Sequence, residues 1–108
     1  MASSKEYLVF ILEQLRGLDG VTYRPMMGEY LLYYQGILFG GIYDDRLLFK
    51  KGLKNQKHGM SEEIPYPGAK PMYLVEEVDN CSVLEQIVLD TVEDLKRKWL
   101  WMKNQEKE

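Results

Sequence analysis

Apolar residues recur at Leu8, Ile11, Leu12 and Leu15, the i, i+3, i+4, i+7 spacing that lays a stripe along one face of a helix. Ser3-Ser4-Lys5-Glu6 reads as its capping box, and Gly17 and Gly20 bracket its end. From Val21 the period falls to two, with Val21 and Tyr23 on one side and Thr22 and Arg24 on the other, until Pro25 interrupts and marks an edge strand or a bulge. Residues 29–35, 37–44 and 46–51 follow as three strands joined by two-residue hairpin turns at Gln35-Gly36 and Asp44-Asp45. Residues 52–71 are irregular, with a short helix over 53–57 closed near Gly59 and then Pro65, Pro67, Gly68 and Pro71 as breakers. The spacing predicts a strand over 72–78. A long helix comes next, capped by Asp79 or by Ser82 with Glu85 three residues on. Its buried stripe is Leu84, Val88, Val92, Leu95 and Trp99, and a charged tail frays beyond.

Tight hairpins fix register, so the faces of the sheet follow by counting. One face carries Leu31, Tyr33, Leu38, Gly40, Ile42, Leu47 and Phe49 and is expected to lie on the helices. The other carries Tyr30, Leu32, Tyr34, Ile37, Phe39, Gly41, Tyr43, Arg46, Leu48 and Lys50. That second face is too apolar to stand in water, so protein is expected to cover it, either the terminal helix or a second copy. Tyr30, Tyr34, Phe39, Tyr43, Arg46 and Lys50 are therefore the candidate interaction surface. Met26, Met27 and Gly28 form a structural turn, glycine supplying the backbone freedom and the methionines packing on either side.

Composition narrows the function classes. At 108 residues and 45% apolar, the chain matches one domain, 1–108, with its tail over 103–108. Fourteen basic against seventeen acidic residues give a net charge of −3, which does not favour general attraction to phosphate backbones. No direct nucleic-acid binding is expected. The lone Cys81 cannot form an internal disulfide, and no cysteine/histidine cluster reads as a metal site. The apolar run over 7–12 is too short for a secretion signal, and no stretch approaches the roughly 18 apolar residues of a membrane span. A cytoplasmic location is the expectation.

Catalytic constellations are sparse. His58 and Cys81 are each the only residue of their kind, and nothing near either reads as an orienting third group. Asp44-Asp45, Glu62-Glu63 and Glu76-Glu77 are adjacent carboxylates, but neighbours in an extended chain point to opposite faces. No catalytic residue, cofactor site or metal site is assigned. Glycine within a strand permits close approach, and the counted register lays Tyr30 across Gly41. A ligand groove or small enzyme site at Gly40-Gly41 is the competing reading, and direct nucleic-acid binding a third. Of Trp99 and Trp101, two apart on one helix, at most one faces the core and the other anchors a partner.

"YRPMMGEYLLYYQGILFGGIYDDRLLFKK" and "PYPGAKPMYLVEEVD" resemble the TfoX (Sxy) N-terminal-domain family. The pattern falls on Arg24, Met26-Met27-Gly28, Tyr30, Gly40-Gly41 and Leu48-Phe49-Lys50-Lys51. The resemblance implies an α+β, two-layer fold, an antiparallel sheet packed by N- and C-terminal helices, similar to secretion chaperones and YgaC-like proteins. It also implies a regulatory role, because better-known members promote competence by helping a transcription activator. Those members carry an additional C-terminal domain. The expectation is a non-catalytic, homodimeric interaction domain acting through a protein partner.

Overall fold

The computed structural model describes residues 3–106. Helix α1 (Lys5–Gln14) is followed by strands β1 (Val21–Met26), β2 (Glu29–Tyr34), β3 (Ile37–Tyr43) and β4 (Arg46–Phe49). A 3₁₀ turn (Asn55–His58), strands β5 (Glu62–Glu63) and β6 (Met72–Leu74), and helix α2 (Cys81–Glu106) complete the chain. The strands form one antiparallel sheet in the order β1-β2-β3-β4-β6-β5, so the fold is α+β as expected.

Three two-residue turns build the meander. Met27 and Gly28 (φ 51° and 86°), Gln35 and Gly36 (49° and 84°), and Asp44 and Asp45 (53° and 56°) all sit at positive φ. Two successive left-handed residues give the hairpin turn whose twist matches that of the flanking strands. The expected turns at Gln35-Gly36 and Asp44-Asp45 are present, and Met27-Gly28 is a third. Met27 is 97% exposed, however, so it packs on nothing: the tip of a hairpin offers no neighbour.

The counted register is wrong beyond the Gln35-Gly36 turn. Tyr34 pairs with Ile37 and Tyr33 with Leu38, but Leu32 then pairs with Gly40, leaving Phe39 as the extra residue of a bulge. Tyr30 consequently stands opposite Ile42, not Gly41. The bulge changes the phase of β3, so that Ile37 and Phe39 before it and Ile42 after it all reach the helices. On β2 the residues packed there are Tyr30, Leu32 and Tyr34, the reverse of the expected assignment. Gly40 is what makes the kink tolerable: a Cβ there would lie inside contact distance of the Leu48 carbonyl and 2.9 Å from Phe49 Cδ1. In return Phe39 is buried completely, edge-on to Phe49 with ring centroids 5.1 Å apart. Burying a side chain of that size is worth about 1.5–3 kcal/mol, enough to favour the bulged register.

The core joins Leu8, Ile11 and Leu15 of α1 to that sheet face and to Leu84, Ile87, Val88 and Val92 of α2. Ser4, not Ser3, caps α1 by accepting from the Tyr7 N–H at 3.2 Å. Ser3 is instead buried against the hairpins, where its hydroxyl donates to Glu29 at 2.7 Å and accepts from the Asp45 N–H at 3.0 Å. At the start of α2 neither Asp79 nor Ser82 caps: the Asn80 side-chain oxygen accepts from the Val83 N–H at 3.3 Å. The helix continues through Glu106, so tail residues 103–106 are helical.

The opposite sheet face is covered by the chain's own crossover, whereas the side carrying Tyr30, Leu32, Tyr34, Ile37 and Phe39 packs on the helices. Tyr43 and Leu48 are buried there, outside the main core. Tyr66 leans on the Tyr43 ring at 6.1 Å. Arg46 clamps the crossover by donating to Glu63 at 2.7 Å and to the Pro65 carbonyl at 3.2 Å. Residues 62–63, expected to be irregular, form β5 beside β6.

Candidate functional site

Two features are built on this frame. The first is a groove of about 900 Å³ between the sheet and the crossover. Its floor includes Leu38, Gly40, Tyr43 and Lys50, one wall comes from Tyr66, Lys70 and Met72, and its far end is closed by Leu53 together with Asp94, Leu95, Arg97 and Lys98. A hollow of about 370 Å³ shares Leu38, Lys50 and Leu95 with it and reaches Trp99.

Backbone anchoring holds the far end. Asn55 is fully buried; its side-chain nitrogen donates to the Lys50 carbonyl at 2.8 Å and to Thr91 at 2.9 Å, while its oxygen accepts from the Gly52 N–H at 2.9 Å. The Asp94 carboxylate accepts from the backbone N–H groups of Lys54 and Asn55 at 3.0–3.1 Å. The chain turning away from β4 is thus bolted to α2, which seats Gly52 against the helix at Asp94.

One turn earlier, Asp90 is 1% exposed and accepts from Gln86 Nε2 at 2.9 Å, with His58 Nε2 2.8 Å from its other oxygen. Lys54 Nζ and Lys57 Nζ stand 3.8 and 3.7 Å away. Burial pushes the Asp90 carboxyl up, but the His58 and Gln86 hydrogen bonds and the Lys57 charge outweigh it and hold the group below its ordinary value of 3.8. His58 is therefore committed to Asp90. Cys81 lies nine residues before Asp90 on the same helix, about 13 Å along its axis, so the two unique residues do not form a nucleophile pair.

The second feature is the end of α2. Trp99, Leu100, Trp101 and Met102 are 58%, 54%, 64% and 51% exposed. Trp99, expected in the buried stripe, lies past the core because 26 residues of helix, about 39 Å, outrun the sheet they cover. Both tryptophans are thus available. The Lys103 ammonium sits 4.8 Å from the Trp99 ring centroid in a cation–π contact.

The six surface residues expected to act together are divided. Tyr30, Tyr34 and Phe39 pack on the helix side, with Phe39 wholly buried. Tyr43 and Lys50 line the groove on the other side, and Arg46 clamps the crossover. Leu53, Tyr66, Lys70 and Lys98, which the sequence reading did not select, join them there. Their alternation carries no signal, because three come from the irregular crossover and one from a helix.

The model of the TfoX N-terminal domain matches residues 13–93, a span holding the whole sheet and the core half of α2. The chain belongs to the TfoX N-terminal domain family. An uncharacterized 12.7 kDa protein in the trpE 5' region of Spirochaeta aurantia is 32% identical over 80 residues, covering 72% of this chain and 70% of that protein. The matched TfoX segment contains the floor and crossover wall of the groove, whereas Arg97, Lys98 and the exposed tryptophans lie beyond it. No helix among the described residues is long and apolar enough to cross a membrane.

Proposed function

We propose that this TfoX N-terminal domain is a non-catalytic, cytoplasmic regulatory module that acts as a homodimer by holding a protein partner, a transcription activator. The observation that carries the reading is the run of four exposed apolar residues, Trp99 to Met102, at the end of α2. Successive helical positions are about 100° apart, so four in a row wrap most of the circumference. One side closes on a second copy and another remains for the activator. Tryptophan is among the residue types most enriched in interface anchors, and both Trp99 and Trp101 are more than half exposed.

The test is light scattering and affinity capture with the wild type and a Trp99→Ser/Trp101→Ser variant. The wild type runs as two copies of 12.7 kDa and retains a transcription activator identified by mass spectrometry. The variant, with an unchanged circular dichroism spectrum, is monomeric and retains none. A monomeric wild type, or a variant that captures the same activator equally well, defeats the proposal.

A further inference from the structure

We infer that the groove between the sheet and the crossover is a binding site for a small amphipathic anion, a molecule with one acidic group on an aromatic or aliphatic body. Charge is the first ground. Lys50, Lys51, Lys70, Arg97 and Lys98 gather around one concavity of a protein whose net charge is −3. Lys51 is paired with Glu62 at 2.9 Å and Arg97 with Glu93 at 3.2 Å, but Lys50, Lys70 and Lys98 form no ion pair among the described residues. The carboxylate in the lining, Asp94, is already occupied by the backbone N–H groups of Lys54 and Asn55. Even with Asp94, Glu62 and Glu93 set against them, the five cations leave the groove with an excess of two positive charges.

Shape is the second ground. A volume of about 900 Å³ lies within the range of small-molecule pockets, about 300–1,000 Å³. The remaining lining is apolar or aromatic, with Leu38, Leu53, Met72 and Leu95 beside the Tyr66 ring. Such a site takes the acidic group among Lys50, Lys70 and Lys98 and the body against the apolar lining. A nucleic-acid duplex does not fit a concavity of this size. An extended single strand, which tyrosines and lysines also attract, is the rival that the experiment separates.

The probe is 8-anilinonaphthalene-1-sulfonate, titrated into ¹⁵N-labelled protein and followed by amide chemical shifts. Parallel titrations use N-phenyl-1-naphthylamine, which has the same body without the charge, inorganic phosphate, and a ten-residue oligothymidylate. Saturable shifts are expected at Gly40, Lys50, Gly52, Ala69 and Lys70. The uncharged analogue is expected to bind at least tenfold more weakly, and phosphate alone to give no saturable shift. Lys50→Glu and Lys98→Glu, separately folded by circular dichroism, each weaken the sulfonate at least threefold, and the exposed Lys70→Glu provides a third variant should Lys50→Glu not fold. Shifts confined to residues 99–102, equal binding of the uncharged analogue, phosphate binding as tightly as the sulfonate, unaffected charge variants, or tighter binding of the oligonucleotide would each overturn the inference.

Discussion

Replacing Asp90 by alanine removes the acceptor that ties the crossover to the middle of α2. The carboxylate is 1% exposed and takes two close hydrogen bonds, at 2.8 and 2.9 Å, with two ammonium groups just under 4 Å away. Deleting one side of a buried charged pair costs about 3–5 kcal/mol when the other side stays buried and unpaired. Here the other side is only partly buried: His58 is 19% exposed, and Lys54 and Lys57 are 33% and 59% exposed. They turn to water when released, which lowers the expected loss to about 2–3 kcal/mol. Urea unfolding at pH 7, followed by far-ultraviolet circular dichroism, reads this directly. With an m-value of about 1.5 kcal/mol per M the midpoint falls by roughly 1.3–2 M. A pH series adds an independent check. Because the folded Asp90 carboxyl is held below 3.8, its stabilisation is fully present above the unfolded value and is lost as pH falls through the folded one. The gap between wild type and Asp90→Ala should therefore be wide at pH 6 and shrink below about pH 4. A gap under about 0.5 kcal/mol at pH 7, or one of equal size at pH 6 and pH 2.5, refutes the account of Asp90 as an ionised clasp.

Phe39→Ala should destabilise by about 3–5 kcal/mol in the same urea assay, since it empties a fully buried site against Phe49; a loss below about 1 kcal/mol would show that the bulge does not seat this ring. Gly28→Ala should lower stability by about 1 kcal/mol or more and reduce the melting temperature, because φ is +86° there; an unchanged or raised melting temperature would contradict the turn geometry. Fluorescence anisotropy with labelled duplex DNA at about 50 mM salt should show no saturable binding, given the net charge of −3 and cations set in a concavity. Micromolar binding that weakens steeply with salt would make Arg46, Lys50 and the lysines of α2 contact residues instead.

Local pattern alone determined most of the elements. Leu8, Ile11 and Leu15 specify α1 through a spacing that only a helix can gather on one side, and Leu84, Val88 and Val92 do the same for α2. Turns were legible where two small or polar residues separate alternating runs, as at Gln35-Gly36 and Asp44-Asp45, because few residue pairs tolerate two positive φ values. The family was legible as well, in the order of Arg24, the methionine turn, Gly40-Gly41 and the Lys50-Lys51 strand end. What the tertiary structure decided was which side of the sheet each residue faces. A bulge shifts every later pairing by one, and whether it forms depends on what Phe39 gains by reaching helices far away in the chain, a term that no count along β2 and β3 contains. The same holds for the groove. Lys50, Tyr66, Lys70 and Lys98 come from a strand, a crossover and a helix, and the hydrogen bonds of Arg46 to the crossover and of Asn55, Asp90 and Asp94 between crossover and helix bring them to one place. Periodicity records how a segment meets its nearest layer; it carries no information about segments that meet because a third one holds them.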